Sequence, residues 1–301
     1  MYIFHHYTSM KAVLLLGRLV RAMPCFLVSA MAVMLGNLIY FCVPYRKSVI
    51  LQQMTKCLGN TLDNNEIRKL ARLNYVHYGH VLFESLLLAS FGKGETDYFE
   101  EHFTISGKEE LLQALAQGKG VVLIGGHMGF WEAFGHWLVR YASPVTVPVK
   151  FIHNHFVQKL REQMQAHPAI TLVDSRMERQ RSVVVIRALK KGEVAGLFID
   201  QYRPSEEFAP FFGHDARTNS TAAILARRTN AAIIYTYIVR KRFGSYQMHF
   251  QRVHLPDADG KGGAAQANAL FNRLLEETIR TYPDQWFWAH RRFKENPEFT
   301  Y

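Results

Sequence analysis

The pattern of apolar and polar positions divides the chain into stretches with different periods. Residues 22–44 carry no charged side chain over 23 positions. About 20 residues of helix cross a bilayer core, so this run is long enough to span one. Lys11, Arg18 and Arg21 precede it, and Arg46 and Lys47 follow it. Positive charge on both sides fixes no orientation. It fits equally a helix lying in one leaflet with both ends on the same side. A buried core helix and a cleaved leader are the other readings. Val28-Ser29-Ala30 resembles a cleavage site, but Arg18 and Arg21 interrupt the apolar region such a leader needs.

Residues 46–92 read as helices. Asp63 or Asn64 can cap one that starts near Asn65, with Ile67, Leu70, Leu73 and Val76 on a single stripe. Glu84, inside Val81–Leu88, reads as a satisfied or exposed helical acid. From Phe103 onward the pattern becomes strand-helix alternation. Strands are expected at 103–106, 120–124, 144–149, 171–173, 194–199 and 231–239. A further strand at 247–253 is expected to be antiparallel at an edge. Helices are expected at 108–117, 127–141, 154–166, 179–191, 220–229 and 264–282, with a surface loop at 256–263. This alternation predicts an α/β fold: a mixed, mainly parallel sheet flanked by helices, behind an N-terminal membrane-associated helical segment. The expected division is an anchoring segment at 1–45 and an α/β domain at 46–301.

Composition narrows the classes. A hydrophobic content of 49% is ample for a core, and the formal net charge of +11 suits an anionic partner. Without zinc-finger spacing, an aromatic-basic RNA motif or a helix-turn-helix, nucleic acid is not the expected partner. Cys25, Cys42 and Cys57 are odd in number and form no Cys-x-x-Cys pair. Reduced thiols in or facing a cytosol fit better than a disulfide framework.

The chemistry concentrates at Val121-Val-Leu-Ile-Gly-Gly-His127-Met-Gly-Phe-Trp-Glu132. A β-branched run stopping at two glycines puts His127 at the sheet's C-terminal rim, where α/β folds place their sites. His127 is the expected general base and Glu132 its orienting partner, if His127 precedes the helix and Glu132 lies on its first turn. A helix N-terminus disfavours imidazolium, while the carboxylate opposes that shift and fixes the tautomer. Such a base can deprotonate a hydroxyl attacking an acyl thioester without a covalent enzyme intermediate. The rival readings are a core histidine, or a metal pair of His127 and His136; the latter lacks the His-Glu-x-x-His pattern. His153 and His155 read as surface residues.

Gly126-His-Met-Gly-Phe-Trp-Glu132 resembles the Gly-His-Phe-Gly-Asn-Trp-Glu block of the bacterial lipid A biosynthesis acyltransferases, within the His-x4-acid glycerolipid acyltransferases. Further blocks agree in order: Leu189-Lys-Lys-Gly192, Phe198-Ile-Asp-Gln201, Pro210-Phe-Phe-Gly213 with Ala216-x-Thr218, and Leu225-Ala226. The tail Tyr282-Pro-Asp-Gln-Trp-Phe-Trp-Ala-His-Arg-Arg-Phe-Lys294 resembles the family's closing signature. The resemblance runs from about Arg46 to Lys294. It implies a glycerolipid acyltransferase-like fold and acyl transfer from acyl carrier protein, or acyl-CoA, to a hydroxyl of an anionic membrane glycolipid. It also implies a bacterial inner-membrane location with the catalytic domain on the cytoplasmic side, and neither metal nor cofactor. It makes His127 the base, Glu132 its partner, and Asp200 and Gln201 site-shaping residues. Lys150, Thr218, Arg291 and Arg292 become substrate contacts.

For some of these residues a plainer reading stands beside the implied one. Asp200 can instead cap the next segment, Arg291 and Arg292 can form a solvated basic end, and Trp286, Phe287 and Trp288 read as core. Two departures bear on the acceptor. Phe130 stands where the family has Asn, and Val149-Lys150-Phe151 stands where it has a Tyr-Arg-Pro-like block. Lys150 keeps the charge without a bidentate fork. Tyr202-Arg203-Pro204 follows Asp-Gln and reads as a coincidental likeness to that block. Acyltransferases for phosphatidylinositol mannoside or ornithine-lipid acceptors, and an inactive lipid-binding protein of the same fold, are the rival functions.

Overall fold

The computed structural model describes residues 2–301 except 44, 92–96, 152–157, 159–160, 163–164, 166, 205 and 258–259. Helices come first: α1 (Tyr2–Ala22), α2 (Cys25–Cys42), α3 (Lys47–Leu58) and α4 (Asn64–Ala89). α4 begins at a capping box. The Asp63 carboxylate accepts from the Asn65 and Glu66 amides, and Glu66 returns a bond to the Asp63 amide. α2 lies along α4 at backbone contact. A Cβ on Gly79 would sit 2.2 Å from the Ala32 carbonyl oxygen, and one on Gly36 would sit 2.4 Å from the Val76 Cα. The outer face of α1 and α2 is bare and apolar: Phe26, Met34 and Phe41 are 71%, 68% and 66% exposed.

The strands are β1 (Phe103–Ser106), β2 (Val121–Gly125), β3 (Val145–Val149), β4 (Ile170–Asp174), β5 (Val194–Phe198), β6 (Glu207–Phe211), β7 (His214–Thr218), β8 (Ala232–Arg242) and β9 (Ser245–Val253). Seven of them form one sheet in the order β1-β9-β8-β2-β5-β3-β4; β6 and β7 form a separate antiparallel hairpin. Every described pairing in the large sheet is parallel except β8 with β9. Parallel strands are covered on both faces, and β2 shows why its sequence is uniformly apolar. Val122 and Ile124 enter a core shared with α3, α4 and the helices α8 (Glu178–Lys190), α9 (Thr221–Thr229) and α10 (Gly260–Thr281). Val121 and Leu123 point the other way, into a core shared with α5 (Asp97–His102), α6 (Lys108–Ala116) and α7 (Ala133–Tyr141).

The elements follow the hydrophobic pattern with specific differences. The strand at 245–253 is antiparallel as expected, but it is not the edge, because β1 pairs outside it. The loop expected at 256–263 gives way to helix from Gly260. α7 starts at Ala133, not at His127, since Gly129 takes φ +57° and Met128 bridges to Trp286. Of the helix expected at 154–166, only 158, 161, 162 and 165 are described; His153 and His155 lie outside the described residues.

Candidate active site

The register of β2 against β5 builds the site. Gly125 stands opposite Phe198, and the Ile199 amide donates to the Gly125 carbonyl at 2.9 Å. The pairing then ends, and the next side chains on the two strands, His127 and Asp200, meet. Gly126 must lack a side chain here, because a Cβ would lie 2.8 Å from Leu275 Cδ1 and 3.2 Å from the Asp200 carboxylate.

Asp200 is almost fully buried and accepts three hydrogen bonds. They come from the His127 amide at 2.7 Å, His127 Nδ1 at 2.8 Å and Trp286 Nε1 at 3.0 Å. Burial by itself raises its pKa. The charge and hydrogen bonds of His127, with Trp286, outweigh burial and hold the carboxyl below its usual range. A carboxylate only accepts, so Nδ1 carries the proton and Nε2 keeps the lone pair a base needs. The His127 side chain is 24% exposed, packed edge-on against Phe198 at 4.9 Å between ring centroids. Gln201 Nε2 is a long 3.4 Å from His127 Nε2, a contact that a substrate hydroxyl can replace.

The closing segment holds this turn. Phe287 N donates to the His127 carbonyl and Gly129 N to the Gln285 carbonyl, both at 3.1 Å. α4 grips the same segment through Asn74, whose amide donates to the Asp284 and Trp286 carbonyls. A chain of contacts thus runs from α4 through Trp286 and Asp200 to His127.

Glu132 sits differently from the sequence expectation. It immediately precedes α7, and its carboxylate accepts from Ser85 Oγ of α4 at 2.8 Å. Among the described residues, the acid bonded to the imidazole is Asp200. The delayed start of α7 leaves Glu132 outside the regular helical turn that would have presented it to His127. Burial raises the Glu132 pKa, opposed by Ser85 and by the charges of Arg161 and His127.

The remaining expected contacts separate into two groups. Thr218 and Arg292 are wholly buried and bonded to each other at 2.8 Å, with Asn272 donating to the same hydroxyl at 2.9 Å. Arg292 also donates to the Arg217 carbonyl, and burial pushes its pKa down to about 10. Neither side chain offers a surface to a substrate. Both tie the β6–β7 hairpin to the closing segment. Lys150 and Arg291 are exposed, Arg291 lying 5.5 Å over the Tyr301 ring.

Sequence reasoning missed the partner of Glu84. Arg240, on β8, grips the buried Glu84 carboxylate with two bonds of 2.6 and 2.8 Å, and donates to His77 Nδ1 at 3.1 Å. The signal was present: a lone acid among leucines and the arginine that ends the apolar run Ile238-Val239 each need a partner when buried.

The site is thus a rim histidine with a buried carboxylate behind it, at the C-terminal edge of a mainly parallel sheet. The model of the bacterial lipid A biosynthesis acyltransferases matches residues 3–295, and the chain belongs to this family. It is 30% identical over 203 residues to the lipid A biosynthesis palmitoleoyltransferase of Escherichia coli, covering 65% of this chain and 62% of that enzyme. The lauroyltransferase of Escherichia coli is 24% identical over 268 residues, covering 88% of this chain and 84% of the relative. The phosphatidylinositol mannoside acyltransferase of Mycobacterium tuberculosis is 30% identical over 185 residues, covering 60% and 57%. The crystal structure of a 1-acyl-sn-glycerophosphate acyltransferase from Thermotoga maritima superposes over 87% of this chain and 97% of its own, at 12% identity and a TM-score of 0.39.

Proposed function

We propose that the protein transfers a fatty acyl chain from a thioester, acyl carrier protein or acyl-CoA, to a hydroxyl of a lipid A-type glycolipid precursor. The observation that carries this reading is the His127–Asp200 pair on a partly exposed imidazole. Nε2 takes the proton of the acceptor hydroxyl as that oxygen attacks the thioester carbonyl. The imidazolium is held by the Asp200 carboxylate. Collapse of the tetrahedral adduct breaks the C–S bond, and the proton passes from Nε2 to the departing thiolate. Gln201 is close enough to orient the acceptor, and Glu132 adds a second negative charge that favours imidazolium.

The bare face of α1 and α2 supports attachment to a membrane, since contiguous apolar patches of this kind mark lipid or protein contact. α2 also packs along α4, which carries Glu84 and His77 of the domain interior. A helix so docked on the domain lies in one leaflet more readily than it crosses two. A cytosolic thioester donor fits a domain on the cytoplasmic side of a bacterial inner membrane. The test is incubation of the purified protein with labelled acyl carrier protein or acyl-CoA and a phosphorylated glycolipid bearing a free hydroxyl. Mass spectrometry should show one acyl chain added to the glycolipid. No transfer from either donor overturns the reading.

A further inference from the structure

A cavity opens at the end of β5, lined by Phe198 among others. Its floor is apolar, formed by Val185, Leu197 and Leu225, and its polar lining is Arg181, Arg203, Ser182, Asn219 and Thr221. Phe198 lines this cavity and also packs on the His127 ring. Pro148, from the end of β3, lines it as well. That is the strand end after which the resemblance expects an arginine block and this chain carries the exposed Lys150.

The two arginines are unequal. Arg181 donates to the Ser175 carbonyl at 3.0 Å. Arg203 is half-buried, and the side-chain hydrogen bonds among the described residues include none from it. Burial, and then the nearby charge of Arg181, lower the Arg203 pKa, with Glu206 and Glu178 opposing. Those acids border the shallower outer hollow that Arg181, Ser182 and Thr221 also line, not the inner cavity. Two like charges beside hydroxyls and an amide, with no acid among the residues lining the inner wall, make a lining suited to a phosphate group.

We propose that Arg181 and Arg203 form a phosphate-binding subsite in this cavity, whose lining residue Phe198 also packs on His127. The phosphate belongs either to the acceptor glycolipid or to the phosphodiester of the donor's prosthetic arm. This inference rests on the function proposed above, but its first test does not require turnover.

Melting temperature is measured in sodium phosphate and in sodium chloride at equal ionic strength, for wild type, Arg181→Ala, Arg203→Ala, Arg203→Lys and the exposed control Arg228→Ala. Phosphate should stabilise wild type and the control, Arg203→Lys less, and the two alanine variants not at all. Equal stabilisation of all five, or of none, overturns the subsite even if wild type is fully active. Kinetics then assign the source. A KM increase of roughly tenfold or more in Arg203→Ala is expected for the substrate that carries the phosphate. It should vanish with a dephosphorylated acceptor if the acceptor brings it, or with an acyl-N-acetylcysteamine thioester if the donor does. An unchanged KM for both substrates overturns the proposal. Absence of turnover in wild type counts against the acyltransferase reading alone.

Discussion

At the residue scale, Asp200 meets the His127 ring by contact, whereas Glu132 bonds to Ser85. Asp200 holds the ring, the backbone amide of the same histidine and the Trp286 indole at once. His127→Ala should lower kcat by about 10²–10⁴-fold, the usual worth of a positioned base. Asp200→Asn should cost a comparable factor with KM little changed, because the amide no longer fixes the Nδ1–H tautomer or balances imidazolium. Glu132→Gln keeps an acceptor for Ser85 and should cost roughly tenfold, less than Asp200→Asn. Steady-state rates for the three variants check this order. A fully active Asp200→Asn would return the orienting role to Glu132. Pairing Glu132 with His127 required His127 in the turn before a helix whose first turn carries Glu132, whereas the helix starts at Ala133. Gly129 at φ +57° and the Met128–Trp286 bridge delay that start, and neither is visible in the spacing.

At the element scale, α4 connects the bare apolar helices α1 and α2 to the site. Its buried Glu84 is held by Arg240 of β8, and the adjacent Ser85 donates to Glu132. Removing one partner of a buried pair leaves an uncompensated charge, so Arg240→Ala should destabilise by about 3–5 kcal/mol. Arg240→Met with Glu84→Leu should recover most of that loss, since apolar replacement of both partners is often neutral. Urea unfolding of the two proteins in detergent checks it; a double variant no more stable than the single one counts against a purely compensatory pair. α4 was legible from a cap at Asp63 or Asn64 and an apolar stripe, of which Leu73 is exposed, whereas its ion pair spans 156 residues of sequence and depends on the β8 register.

At the scale of the whole molecule, stability should respond to acid before the carboxylates titrate. Burial lowers the pKa of His77, and that of His290 to about 4. Below pH of about 6.5 the unfolded chain binds protons at these positions while the folded chain does not. Stability is therefore fully present above that pH and is lost as pH falls toward 4. Asp200, with its depressed pKa, continues the loss below its unfolded value near 4. Urea midpoints at pH 7.5, 5.5 and 4.5 in the same ionic strength check this; a flat profile across the range would contradict it. The net charge of +11 adds a salt-dependent attraction to anionic lipid, because the Debye length falls from about 10 Å at 0.1 M to about 3 Å at 1 M. Sedimentation with anionic vesicles should weaken over that interval but persist, since apolar insertion of α1 and α2 is not screened.

The sequence by itself determined the alternation of strands and helices, the apolar N-terminal run, the position of His127 at a strand's end, and the blocks that mark the family. These follow from local periodicity and from residue types that a backbone demands nearby. Only the tertiary structure decided that Asp200 is the acid bonded to His127, that Thr218 and Arg292 are interior supports, and that β1 takes the edge outside β9. It also brought Arg203 into one cavity with Pro148. Each of these depends on which strands lie side by side and in what register. That is set by packing among residues tens to hundreds of positions apart, and no period along the chain records it.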